Sequence, residues 1–335
     1  MKFNKSFLLF SVLIIGIASF FYVLKKNVVV FNNPKNQSEK EVNKIKVAMG
    51  YIPNVQFAPF YVSLEKGFFN QEGLEIEFNY NWETDIIALL AKGELDFGIG
   101  SGEQIIIAQS QGLPITNIFN WYQRFPVCIV SLSEKNIIKP DDLIDKTVGS
   151  PAVYGASFIG YQALLRTNNI NEKSINLEVI GYTQIESLIE KKVDAAICYR
   201  MNEPVKLKNL GYQINIINIA DYINFVSNGL ITNKNLIEQK PELVSIFTKA
   251  FSKGLQYTID YPEEAFIISQ KYIPEIKDKN TQKEILDKSI EFWKSSKLGL
   301  NNPEQWQKSV ELLLKLNFIE KAPEINSLFT NQFLN

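Results

Sequence analysis

The sequence predicts an α/β chain built as two similar halves, followed by a helical C-terminal segment. Three observations predict it. Short apolar or alternating runs at 45–51, 74–80 and 96–99 are each followed by a stretch of helical length. The same alternation returns at 147–149, 176–180 and 195–199. From Pro241 onward the chain reads mostly as amphipathic helices. Strands alternating with helices of this length build βαβ units and largely parallel sheets. Two such sets give two lobes, not one continuous sheet.

Each element has a local reason. IKVAMGY (45–51) alternates after a polar stretch and reads as the first strand. QFAPFYVSLEKGFF (56–69) contains a helix that stops at Lys66-Gly67, with glycine beyond a basic last turn. LEIEFNY (74–80) alternates strictly. A short helix at 84–92 ends before Gly93, and a helix at 104–111 ends at Gly112-Leu113-Pro114. In the second half, helices at 155–167 and 184–191 separate the strands. Later helices include 241–257 and 285–293. The domain reading is 45–130 plus 227–335 for lobe 1 and 131–226 for lobe 2.

Residues 1–26 carry Lys2 and Lys5, an apolar run from Phe7 to Leu24, then Lys25 and Lys26. This is the pattern of a signal peptide or an N-terminal membrane anchor, with anchoring favoured because no convincing small-residue cleavage site follows. Residues 27–44 read as a flexible tether on their polar run. The net charge of −1 over 335 residues hides an asymmetry. Residues 1–44 hold seven lysines and two glutamates, so the body carries 28 basic and 34 acidic residues, a net −6. With no basic block, nucleic acid is not an expected partner.

The chain has no histidine and two cysteines. Ser-His and Cys-His nucleophile pairs cannot be built, nor can a His-containing metal site. Cys128 and Cys198 can form one disulfide or remain two small buried thiols. No cofactor or metal is expected, and no catalytic residue is assigned.

The order of segments resembles one family of ABC-importer substrate-binding proteins. That family joins sulfonate, nitrate and taurine binders with binders of thiamine pyrimidine precursors. The resemblance rests on GYIPNVQFAPFYVSLEKGFF (50–69) with Gly73-Leu74, on LAKGELDFG (90–98), and on WYQRFP (121–126). It continues in KPDDLIDKTVG (139–149), where Asp145 replaces a usual glycine, and in VDAA (193–196). GSPAVYGASFIGYQALL (149–165) and MNEP (201–204) are similar to thiamine-precursor and riboflavin binders. The resemblance implies a bilobal type-II periplasmic-binding-protein fold whose two α/β lobes close on a small-molecule ligand. It also implies an extracytoplasmic, monomeric protein, not an enzyme, that presents its ligand to an ABC permease. The ligand would be a thiamine pyrimidine precursor or a related flat vitamin such as riboflavin, with a sulfonate, nitrate or taurine as the alternative. The family's pyrimidine-precursor synthases consume a histidine of their own chain, which this chain lacks.

A cleft of this kind needs apolar walls and a few directional polar groups at the carboxyl ends of strands. Tyr51 can stack on a flat ring and Asn54 can donate and accept, although Pro53-Asn54 is also turn chemistry. Ser101, in GIGSG (98–102), is a ligand donor or a helix cap, and Glu103 is a first-turn acid. Tyr154 and Ser157 sit at a strand-to-helix turn that offers a second ring contact. Asn202 and Glu203 lie just past a strand end, where a carboxylate can take N–H donors of an aminopyrimidine. Trp82 and Trp121 fall in loops, as ligand contacts or core. Arg124 reads as a structural ion pair in a hinge-side strand, or as an anion contact in a sulfonate binder.

Overall fold

The computed structural model describes residues 43–80, 83–274 and 276–334. The leader and most of the tether lie outside the described residues, as does Trp82. Among the described residues, no helix is long and apolar enough to cross a membrane.

Among the described residues, ten strands form two five-stranded sheets. The first contains β1 (Asn43–Ala48), β2 (Leu74–Asn79), β3 (Phe97–Gly100), β4 (Ile115–Asn120) and β10 (Gly229–Asn233), in the order β2-β1-β3-β10-β4. The second contains β5 (Val127–Leu132), β6 (Thr147–Ser150), β7 (Asn176–Val179), β8 (Ala195–Tyr199) and β9 (Ile214–Asn218), in the order β7-β6-β8-β5-β9. Each sheet has a parallel half made by βαβ crossovers and an antiparallel half. β1 pairs parallel with β2 and β3, and β6 with β7 and β8. β10 runs antiparallel between β3 and β4, and β5 antiparallel between β8 and β9. The two sheets thus share one wiring.

The expected helices are present: Ala58–Glu65, Glu83–Ala91, Gly102–Ser110, Gly155–Thr167, Gln184–Ile189, Pro241–Asp260 and Lys279–Trp293. Asp145, where glycine is usual, has φ +60°, the left-handed region that Asp tolerates better than most side chains.

Two connections pass between the sheets, 121–126 and 219–228. The sequence suggests a strand for the first, and the structure has none there. The backbone N–H groups of Trp121 and Tyr122 both donate to Asn228 O, at 3.1 and 2.9 Å, and Gln123 N–H donates to Phe292 O at 2.8 Å. These bonds tie the first connection to the second and to a helix end, leaving no row for a strand neighbour. Phe125 and Phe225, one on each connection, meet edge-to-face at 5.6 Å. An apolar cluster runs through them, from Ile86 and Ile105 on one side to Ile129, Val148 and Ala195 on the other.

The long helix Pro241–Asp260 covers the first sheet's helical face. Its Gly254 is required by close approach, because a Cβ there would lie 2.3 Å from Pro59 O and closer still to Ser63 Oγ. Ser63 Oγ–H donates to Ala250 O at 3.0 Å across the same contact. Gly254→Ala is therefore expected to force the two helices apart, at about 1–3 kcal/mol. Urea unfolding measures this; a variant within about 0.5 kcal/mol of wild type would show that the contact yields freely.

Candidate ligand-binding cleft

Between the two sheets lies a cleft of about 910 Å³ of empty space, its open mouth included. The carboxyl ends of β1, β6, β7 and β8 all deliver loops to it, as expected for ligand sites in α/β sheets.

The walls are aromatic. Tyr51, Phe57, Trp121 and Tyr122 come from connections of the first sheet, Tyr154 and Tyr182 from loops of the second, and Tyr199 from the end of β8. Tyr51 and Tyr182 meet edge-to-face across the cleft at 4.7 Å. Trp121 is anchored from behind by Phe60, Phe251 and Trp293, at ring distances of 5.8, 5.2 and 5.3 Å. Burial pushes the Tyr51 and Tyr122 hydroxyls above the ordinary phenol range, so both stay neutral.

The polar groups are few and buried. Pro204 in the first turn fixes the start of the helix Glu203–Asn209, which puts Asn202 at its cap and Glu203 inside the cleft. Asn202 Nδ2 donates to Glu203 Oε1 at 2.8 Å and to the Tyr51 hydroxyl at 3.4 Å. Glu203 Oε2 accepts from Tyr199 N–H at 3.3 Å. Burial raises the Glu203 carboxyl above its usual range, against the pull of Lys206 and of backbone N–H groups. On the far wall Asn228 Nδ2 donates to the Tyr199 hydroxyl at 3.2 Å.

Five sequence-predicted residues other than Trp121 line this cleft: Tyr51, Tyr154, Ser157, Asn202 and Glu203. Tyr154 occupies a helix cap position without capping with its side chain, and it stays 43% exposed at the mouth. Gly155 follows it with φ +78°, a left-handed turn that glycine adopts without strain. Asn54 and Ser101 lie outside the lining. Asn54 accepts the Gln56 N–H at 3.0 Å and caps the short turn Val55–Phe57, which is the turn role. Ser101 is buried at the cap position of the helix Gly102–Ser110, and Glu103 is buried in its first turn. Arg124 lies outside the cleft, 3.7 Å from Asp221, with both side chains exposed.

Sequence reading missed Gln56, Phe57, Tyr122, Tyr182, Tyr199, Gln184 and Asn228. Gln56 and Phe57 read as the start of a helix; only their position one turn beyond Tyr51 signals the site. Cys198 also lines the cleft and faces Cys128 in the β5–β8 register. Both thiols are free and buried, with their sulfurs 3.6 Å apart.

A family model described as NMT1/THI5 like matches residues 54–265. The chain is 34% identical to the riboflavin-binding protein RibY of Chloroflexus aurantiacus, over 90% of this chain and 89% of that protein. It is 25% identical to a formylaminopyrimidine-binding protein of Halalkalibacterium halodurans, over 68% of this chain and 70% of that protein. A 4-amino-5-hydroxymethyl-2-methylpyrimidine phosphate synthase of Legionella pneumophila is 24% identical, over 87% of this chain and 92% of that one. Among solved structures, a protein from Bordetella bronchiseptica superposes with TM-score 0.73 at 17% identity, over 87% of this chain and 95% of the other. The periplasmic aliphatic sulphonate binding protein SsuA from Escherichia coli superposes with TM-score 0.66 at 12% identity, over 85% and 96%.

Proposed function

This chain belongs to the NMT1/THI5 like family, and on that premise we propose that it is the extracytoplasmic solute-binding component of an ABC importer. It captures a flat nitrogenous ring, either riboflavin or a thiamine pyrimidine precursor, by closing two lobes over it. The lobes are 45–130 plus 227–335 and 131–226, and the hinge is the pair of connections held by Phe125 and Phe225. The closed form is handed to a membrane permease.

One observation carries this reading: the cleft is walled by aromatic rings from both sheets, and no lysine or arginine is among the described residues that line it. Rings on opposite walls suit a planar ligand that stacks as the lobes close. A fixed anion such as a sulfonate calls instead for a guanidinium or ammonium partner, and here the buried ionisable carboxyl group of the cleft is that of Glu203. The names of the relatives support the same reading, since one binds riboflavin and one formylaminopyrimidine. The synthase relative favours no enzymatic role here, because the chain has no histidine to consume. The monomeric state and the N-terminal anchor belong to the same proposal.

A thermal-shift screen of the full-length chain in mild detergent tests it, with riboflavin, 4-amino-5-hydroxymethyl-2-methylpyrimidine, formylaminopyrimidine and taurine. A ligand at 100 times its dissociation constant adds about 2.7 kcal/mol, which raises Tm by roughly 5 °C or more. A shift with taurine alone would replace this reading with the anion-binding one.

A further inference from the structure

Three residues of the cleft carry a buried polar atom with no hydrogen-bond partner: Gln56 Nε2, Trp121 Nε1 and Asn202 Oδ1. Gln56, Trp121 and Asn202 are 5%, 1% and 2% exposed, so bulk solvent does not reach them. Buried polar atoms without a partner are rare in folded proteins, because each costs free energy on the scale of a lost hydrogen bond. Others lie on Asn117, Asn120, Thr248, Trp293 and Asn301, away from the cleft, but these three belong to residues that line it, where a ligand can supply the missing partners.

The chemistry of the three atoms is defined. Indole Nε1–H can only donate, and an amide NH₂ can only donate. The Asn202 amide has its orientation fixed by Glu203 and Tyr51. Both N–H bonds of its Nδ2 are taken, at 2.8 and 3.4 Å, so Oδ1 is left as an acceptor. The residues lining the cleft therefore carry two free donors and one free acceptor. The complement is two carbonyl oxygens and one N–H.

We propose that Gln56, Trp121 and Asn202 select a ligand with a cyclic imide edge, C=O, N–H and C=O, as on the pyrimidine-dione ring of a flavin. This rests on the solute-capture reading above and chooses between its two ligand classes. An aminopyrimidine offers an amine and ring nitrogens flanking a methylated carbon, and it has no carbonyl pair around an N–H. Glu203 is then a positioning residue, which holds the Asn202 amide with its oxygen toward the imide N–H.

The test is binding of riboflavin, 3-methylriboflavin and 4-amino-5-hydroxymethyl-2-methylpyrimidine to the full-length chain, followed by titration calorimetry. Riboflavin is expected to bind, and methylation of its imide nitrogen to weaken binding by about 100-fold or more, because it removes the donor and crowds Asn202 Oδ1. Gln56→Met, which keeps the shape and removes the donor, is expected to weaken riboflavin about tenfold. The ligand-side change leaves the protein untouched, so a misfolded variant cannot decide the outcome. Equal affinity for riboflavin and its 3-methyl derivative would overturn the imide inference and leave solute capture standing. So would binding of the aminopyrimidine with no binding of riboflavin. Failure of all three ligands to bind would overturn the capture reading together with the imide inference.

Discussion

Trp121→Ala is expected to remove about 3–5 kcal/mol of stability, the range for truncating a buried Trp or Phe. The indole is 1% exposed, with the rings of Phe60, Tyr122, Phe251 and Trp293 at 5.2–5.8 Å around it. These neighbours come from the helix Ala58–Glu65, the connection itself and two C-terminal helices. They cannot all collapse into the space left, so a cavity remains. Against a typical total of about 5–15 kcal/mol, this is a large fraction. Trp121→Phe is expected to cost only about 1–2 kcal/mol, since it keeps a ring and removes a buried donor that has no acceptor. Urea unfolding at pH 7 separates the two variants. If Trp121→Ala lost less than about 1.5 kcal/mol, Trp121 would be a mobile wall and not part of the core. Riboflavin binding to Trp121→Phe then reads the indole donor apart from the packing.

How much of this was legible in the sequence follows from what each residue type signals. The parallel halves were readable because LEIEFNY alternates and because Lys66-Gly67 and Lys92-Gly93 end helices with local chemistry. β4, β5 and β9 were not read. In β4 and β5 all six residues are buried, so neither has a period, and ITNIFN hides a core strand behind two asparagines. The 121–126 segment misled because its aromatic and apolar residues suit a strand. Its backbone bonds instead go to Asn228 and Phe292, far along the chain, and no local pattern encodes that.

The site divides the same way. Asn202 and Glu203 were legible as polar residues just past a strand end, and Tyr51 as an aromatic in the first loop. Asn54 has the same polarity, but its side chain is used locally to cap the turn that brings Gln56 into the cleft. Sequence cannot say whether an Asn in such a loop spends its amide on its own backbone or offers it to a ligand. Tyr199 and Asn228 belong to the site through a bond 29 residues apart in sequence. The preceding strand residue, Cys198, gives no hint of it.

Glu203→Gln is expected to change both the pH dependence of stability and the affinity for an imide ligand. In the native protein, burial raises the Glu203 carboxyl above its unfolded value of about 4.3. Between those two values the native state binds more protons than the unfolded chain, so this residue's contribution to stability falls as pH rises. The contribution is fully present below the unfolded value and is lost as pH passes the raised native one. The introduced amide does not titrate, so the stability of the variant relative to wild type should improve as pH rises from about 4 through the raised native value, and level off above it. Superposed on that is a constant penalty of about 1 kcal/mol, because Asn202 Nδ2 and Tyr199 N–H donate to different carboxylate oxygens and one of these becomes an NH₂ that cannot accept. Urea unfolding across this range gives the comparison, and a pH-independent difference between the two proteins would sink the argument. For binding, the introduced amide can turn an N–H toward Asn202 and so reverse that side chain, removing the acceptor from the cleft. A loss of about tenfold or more in riboflavin affinity at pH 7 follows. Because the same substitution makes the empty protein relatively more stable as pH rises while it weakens binding, a merely damaged fold cannot produce both results. On the proposal above, Glu203 gives up stability in the empty protein to hold the Asn202 amide for the ligand.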